Sequence, residues 1–254
     1  MVPILETVSL HKSFDGVVAA ENINVKIEKG EIVGIIGANG AGKTTFVNMI
    51  TGYIKPTEGK IFYEGEDITG LPPRIITKKG IHRSFQIPQL FEDLTVIENV
   101  IVAQTIKNKE FISLLKTFKE KNKIKKAMDI LKRFNLSEYE NEKVSKLPQG
   151  IKKLLDIAMA VIGEPKVLLL DEPTSGVAIE EKFELMDIVM EGVKETGASV
   201  LFIEHDMEII EKYTPRVIAF YEGKVIADGE TSIVLNDENV KKYVIGFELS
   251  KKEK

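Results

Sequence analysis

The chain has 254 residues, of which 43% are apolar and 29% charged, enough to bury a full core in a soluble globular fold. Its formal net charge of −4 argues against a general nucleic-acid binder, and no nucleic-acid partner is expected. No apolar run reaches about 18 residues, so the chain is not expected to span a membrane itself, and the absence of cysteine excludes disulfides and cysteine-ligated metals.

Met1 to Glu6 lacks the basic and apolar regions of a signal peptide. Ile4 to Leu10 and Ile23 to Ile27 predict short strands, followed by a turn at Glu28 to Glu31. The apolar run Ile32 to Ile36 predicts a strand, and Phe46 to Ile50 suits a helix that ends by Pro56 and Gly59. Lys60 to Tyr63 resembles a strand with a turn at Glu64-Gly65. From about Phe91 the texture changes. Val96 to Thr105, Phe111 to Lys119, Lys123 to Phe134 and Leu154 to Val161 favour helix. Val167 to Leu170 is short, apolar and unalternating, as a buried parallel strand should be. Ile179 to Thr196 predicts one helix closed by Gly197, and Ser199 to Ile203 another central strand. Arg216 to Tyr221 and Lys224 to Ala227 predict a hairpin turning at Glu222-Gly223. The tail from Ile233 to Leu249 predicts a helix, and Lys251 to Lys254 a frayed end.

Chemistry concentrates at five places. Gly37-Ala38-Asn39-Gly40-Ala41-Gly42-Lys43-Thr44 is a complete GxxxxGK[ST] loop between a predicted strand and a predicted helix. Its glycines expose backbone N–H groups to phosphates, Lys43 reaches the terminal phosphates, and the Thr44 hydroxyl is placed for Mg²⁺. The loop predicts binding of a nucleoside triphosphate. Asp171-Glu172 ends the Val167 strand, where open α/β sheets bind ligands. Asp171 is expected to hold Mg²⁺ directly or through water, and Glu172 to orient and polarise an attacking water. His205, after the Ser199 strand, is a candidate γ-phosphate sensor or water holder. The amide of Gln86 can complete a metal or water shell, and the ring of Phe14 can stack on a nucleobase.

Together these residues resemble the nucleotide-binding subunit of an ABC transporter, over essentially the whole chain. The resemblance makes Gly37 to Thr44 the Walker A motif. It gives ATP contacts to Asn39, Gly40, Ala41, Gly42, Lys43, Thr44 and Thr45, with Phe14 as the adenine-stacking residue. It makes Gln86 the Q-loop glutamine, Asp171 the Walker B aspartate, Glu172 the catalytic base and His205 the switch histidine. ATP and Mg²⁺ are the implied cofactors, with Thr44, Gln86 and Asp171 on the metal and Lys43, Gln86, Glu172 and His205 in catalysis. The implied fold is α/β: one P-loop NTPase domain over 1–254. Its core, with an antiparallel β-subdomain, takes residues 1–89 and 164–254, and a helical subdomain takes 90–163. The implied partners are a second ATPase subunit, two transmembrane permeases and, indirectly, a substrate-binding protein. The implied place is the cytoplasmic face of the membrane. Arg83 to Gln86, Leu90 to Val100, Ile203 to Met207 and the ending Val240 to Gly246 are similar to the branched-chain amino acid importers, and urea or lipid systems share some of these features.

Two motifs depart from that family. Its signature, Leu-Ser-Gly-Gly-Gln, is replaced by Leu147-Pro148-Gln149-Gly150-Ile151, and Pro148 has neither hydroxyl nor N–H. In the D-loop, Ala178 stands where Asp or Asn is usual. Both losses fall on surfaces offered to a partner. They predict a dimer in which this chain accepts a good signature and donates a poor one, unless Pro148 and Gln149 are harmless in this lineage and both sites fire.

Overall fold

A computed structural model describes residues 2–84, 86, 88–107 and 121–246. The helix expected over Phe111 to Lys119 and the frayed Lys251 to Lys254 lie outside the described residues. The chain divides into two compact units, Met1–Ile81 with Ser199–Lys254, and His82–Ala198.

The first unit opens with β1 (Leu5–Phe14) and β2 (Val17–Ile27), paired antiparallel from Leu5 opposite Ile27 to Phe14 opposite Val17. Both strands run further than expected, because Asp15 and Gly16 close them in a two-residue turn with φ of 46° and 86°. Asp-Gly is the composition such a hairpin turn favours. β4 (Glu58–Tyr63) and β5 (Glu66–Asp67) complete this sheet in the order β2-β1-β4-β5.

β3 (Ile32–Gly37) belongs to a second sheet in the same unit. It runs parallel to β8 (Ser199–Ile203) on one side and β9 (Arg216–Tyr221) on the other, which sets Ile35 beside Ile203 and Ile218. Val33, Ile35 and Ile36 are wholly buried, which is why this strand reads as an unbroken apolar run rather than an alternation. β10 (Lys224–Glu230) pairs antiparallel with β9, as the Glu222-Gly223 turn predicts. The Arg216 guanidinium ties β9 to Asp228 and to Glu31 at 2.7 and 2.9 Å, and those carboxylates hold its proton more tightly than usual. α1 (Lys43–Ile50) follows β3, and α2 (Pro73–Lys79) carries proline in its first turn and left-handed Gly80 at its end.

α7 (Met207–Tyr213) lies between β8 and β9. The expected tail helix over Ile233 to Leu249, whose last three residues lie outside the described ones, is broken at Asp237. α8 (Thr231–Asn236) stops at Asp237, whose carboxylate accepts from the N–H groups of Asn239 and Val240 and starts α9 (Glu238–Val240). A π-turn follows over Lys241–Ile245.

The second unit contains β6 (Ile81–Ser84) beside β7 (Val167–Asp171), with α3 (Val96–Lys107), α4 (Lys121–Arg133), α5 (Gln149–Val161) and α6 (Lys182–Lys194). α5 starts more than a turn before the expected Leu154. The helix expected over Ile179 to Thr196 is a 3₁₀ turn at Ile179–Glu181 followed by α6. α4 and α6 meet through Phe134, fully buried, whose ring lies 2.8 Å from where a Cβ on Gly192 would stand. Burying such a ring contributes about 1.5–3 kcal/mol. Among the described residues no helix is long and apolar enough to cross a membrane.

Candidate functional site

In the first unit β3 delivers the chain to Gly37, the loop turns over Ala38 to Gly42, and α1 begins at Lys43. Gly42 is the N-cap in a left-handed conformation, with φ of 101°, and it makes no side-chain cap. No acidic residue stands in the first turn of α1. The first N–H groups of α1 and the positive end of the helix dipole therefore face the loop, which is the electrostatics of an anion site. Gly42 is required on steric grounds too, since a Cβ there would lie 2.6 Å from the Ala19 carbonyl oxygen and 3.2 Å from Gly223 Cα. A Cβ on Gly40 would meet nothing within 4 Å, so the rim of the loop is open, a cradle with room for phosphate. Lys43 is buried, and its ammonium donates to the carbonyls of Gly37 at 2.5 Å and Ala38 at 3.1 Å. Ala41 is buried, Asn39, Gly40 and Thr44 are exposed, and Thr45 is half-buried.

Phe14 closes β1 with 43% of its surface exposed, and the Lys12 ammonium stands 4.9 Å from its ring centroid. His205 follows β8 and is half-buried. The neighbouring Glu204, buried at 3% exposure, turns its carboxylate back to accept from the His205 N–H at 3.0 Å.

In the second unit β7 ends at Asp171, and Glu172 takes a left-handed backbone with φ of 48°. This conformation is uncommon for a residue with a Cβ and costs of order 1–3 kcal/mol. The Gln86 amide donates to the Glu172 carboxylate at 2.5 Å, so the structure brings these two predicted residues together. The Asp171 carboxylate is ion-paired with the Arg83 guanidinium, both side chains being buried.

α5 supplies the residues that sequence reasoning passed over. The ammonium of Lys153 donates to the carbonyls of Gln86 at 2.5 Å and Glu172 at 3.0 Å. The Asp156 carboxylate accepts from the N–H of Gln89 at 3.2 Å, and the His82 ring bonds the Ala160 carbonyl at 2.9 Å. The signal was present: Lys153 and Asp156 fall in a buried run with Leu154, Leu155, Ile157 and Ala158, where charges have no reason to be unless they are paired.

The altered signature forms the start of α5. Leu147 is buried, Pro148 is the N-cap in extended conformation, and Gln149 and Gly150 open the first turn. Proline here removes one of the four unpaired N–H groups of a helix start and leaves those of Gln149, Gly150 and Ile151. The expected loss at Pro148 is thus one hydroxyl and one N–H, with three N–H groups left beside it. Ala178 is exposed, next to Ile179 at 75% exposure.

The uncapped start of α1 and the open rim at Gly40 fit a polyphosphate. The chemistry of the donors fits Mg²⁺ as well. Among the described residues no group of three His, Asp or Glu side chains could hold a metal alone, and Mg²⁺ on phosphates needs only one or two protein oxygens.

Comparison with known proteins bears on the same residues. The family model described as "ABC transporter" matches residues 20–175. The probable branched-chain amino acid transport ATP-binding protein LivG of Archaeoglobus fulgidus is 38% identical over 98% of both chains. The high-affinity branched-chain amino acid transport ATP-binding protein BraF of Pseudomonas aeruginosa is 36% identical over 96% of this chain and 98% of its own. Among solved structures, an ATP-binding cassette of an ABC transporter in its ADP conformation superposes with a TM-score of 0.84. It is 33% identical, covering 96% of this chain and 98% of that one. The structure of cbiO1 from Clostridium perfringens, described as part of the ABC transporter complex cbiONQ, gives 0.81 at 29% identity, over 95% and 94%.

Proposed function

We propose that this chain, which belongs to the ABC transporter family as an ATP-binding and ATP-hydrolysing subunit, drives the uptake of branched-chain amino acids. The motor assignment is carried by one observation: the Gln86 amide holds the Glu172 carboxylate at the end of β7, in a chain that also has a complete phosphate loop. The substrate assignment is supported by relatives that match nearly the whole chain and are named for that transport.

Each residue then has a task. The N–H groups of Asn39 to Thr45 and the start of α1 receive the phosphates of ATP. Lys43, held ready by the Gly37 and Ala38 carbonyls, exchanges those contacts for phosphate oxygens. Phe14 offers its exposed face to the adenine. Mg²⁺, when bound, neutralises phosphate charge and polarises the γ-phosphorus. Thr44, Gln86 and Asp171 would hold it, Asp171 directly or through water, with Arg83 paired to its carboxylate. Glu172 orients the attacking water and takes its proton, and His205 supports the charge that develops.

The remaining half of each site comes from a second ATPase subunit. This chain offers that partner Leu147, Pro148, Gln149, Gly150 and Ile151, with backbone N–H groups but no serine hydroxyl, and so gives less than it receives. Residues 90–163 act as the helical subdomain that meets the two permeases, on the cytoplasmic face of the membrane, with a binding protein delivering substrate.

The test is reconstitution of the chain with permease and substrate-binding-protein subunits from the same organism. In proteoliposomes, ATP should drive uptake of labelled leucine, isoleucine and valine. Uptake of another solute with none of these three, or ATP hydrolysis indifferent to all of them, would remove the substrate assignment.

A further inference from the structure

We propose that Lys153 is a positioning residue for Glu172 and Gln86, and that α5 through it sets the geometry of the water-activating pair. The proposal rests on the assignment of Glu172 as the base.

Lys153 is 2% exposed on α5, whose other buried residues are Leu154, Leu155, Ile157, Ala158, Val161 and one carboxylate, Asp156. Any long apolar side chain would fill that space, and replacing a buried charge by a packed apolar group is often neutral or stabilising. Packing therefore does not explain a lysine. Its bonds do. One ammonium donates to the backbone carbonyls of Gln86 and Glu172, 67 and 19 residues away along the chain. The side chains of the same two residues are hydrogen-bonded to each other at 2.5 Å. The two residues are thus held twice, by their carbonyls through Lys153 and by their side chains directly.

The second bond of Lys153 falls on the residue with the left-handed backbone. At φ of 48° Glu172 is in a conformation that persists only where the surroundings fix it. A charged donor on its own carbonyl fixes the plane of the following peptide, while the Gln86 amide holds the carboxylate. One turn further along α5, Asp156 accepts from the N–H of Gln89 and grips the same segment a second time. α5 begins at the signature residues Gln149 to Ile151, so the helix that presents the signature also aims the base.

A displacement of about 1 Å in a catalytic group costs on the order of 10²-fold in rate without touching substrate affinity. Full-length protein carrying Lys153→Met, Lys153→Arg, Glu172→Gln or both Lys153→Met and Glu172→Gln should be assayed for MgATP hydrolysis, with kcat and KM separated. ATP binding should be followed by titration calorimetry and integrity by thermal melting. Lys153→Met should lower kcat by about 30- to 100-fold with KM and Kd for ATP within about threefold of the parent. Lys153→Arg should recover part of the rate, because a guanidinium can donate to both carbonyls. The double variant should be no slower than Glu172→Gln alone. A folded Lys153→Met at the parent rate overturns the proposal, and so does a parallel fall in kcat, ATP affinity and melting temperature, which marks a packing role. If Lys153→Met is insoluble, Lys153→Gln, a neutral donor, takes its place with the same two outcomes. Glu172→Gln hydrolysing at the parent rate would instead strike the assignment of Glu172, whatever Lys153 does.

Discussion

The two helix starts on which this protein's chemistry rests are built by opposite means. α1 begins at a glycine, and almost everything around it is backbone: the N–H groups of a loop, two carbonyls on Lys43, and a neighbouring turn close enough to forbid a Cβ. α5 begins at a proline, and what matters about it is side chains, with Lys153 and Asp156 reaching residues far away in sequence. On the proposed assignment the first design binds, since a ring of N–H groups donates to any phosphate of the right shape. The second aims, since each of its bonds fixes one particular group in one orientation.

The largest effects should divide along that line. Lys43→Ala should abolish detectable hydrolysis and lower ATP affinity at the same time, because it removes a charged ligand of the phosphates. Glu172→Gln should cost about 10³-fold in kcat and leave ATP affinity in place, because it removes only the acceptor of the water's proton. Calorimetry beside a hydrolysis assay checks both. A Glu172→Gln protein that no longer binds ATP would erase the distinction between a binding end and an aiming end.

A smaller effect is expected at the start of α5. Pro148→Ser restores a side-chain cap where none now exists, and such a cap contributes about 1 kcal/mol. A denaturant midpoint should rise accordingly. Hydrolysis in the paired complex should rise no more than a few-fold if three N–H groups already do most of the signature's work. A rise of more than about tenfold would show that the missing hydroxyl, and not the backbone, had limited the site.

The smallest effect belongs to the first unit and depends on pH. In the turn after β5 the Thr69 hydroxyl and N–H, with Lys60 beside them, hold the Asp67 carboxyl down at about 2. The folded value lies below the ordinary 3.8, so this stabilisation is fully present above that value and is lost as pH falls through about 2. Asp67→Asn should lower the melting temperature slightly at about pH 5 and match the parent below about pH 2. An equal gap at both pH values would mean that charge is not what this turn uses.

How much could be read without the fold follows from the same contrast. The phosphate loop was legible because its parts are consecutive, and the acid pair because Asp171 and Glu172 end an unmistakable apolar strand. Arg83 on Asp171 and Lys153 on Gln86 were not, because the partners stand 88 and 67 residues apart and only the fold brings them together. Other misses had local signals that a stronger pattern overrode. Asp237 was a helix start inside a run that looked continuous, and Pro148 looked like damage in a loop when its position suits a helix start. The Asp15-Gly16 turn is a clear hairpin signal, and it carries both strands beyond the apolar stretches that predict them.

The close approach around Gly42 has a consequence for inheritance. The Gly223 N–H donates to the Ala41 carbonyl at 3.0 Å, the Gly223 carbonyl accepts from the Glu21 N–H at 2.8 Å, and Gly42 leaves no room beside Ala19. Positions 42 and 223 are therefore one steric unit divided between two distant stretches of the gene. A lineage that lengthens the β9–β10 turn, or puts a side chain at 223, disturbs the phosphate loop without altering a letter of its motif. A homologue can thus carry a perfect loop sequence and still bind ATP poorly, with the lesion some 180 residues downstream, the distance from Gly42 to Gly223 in the chain.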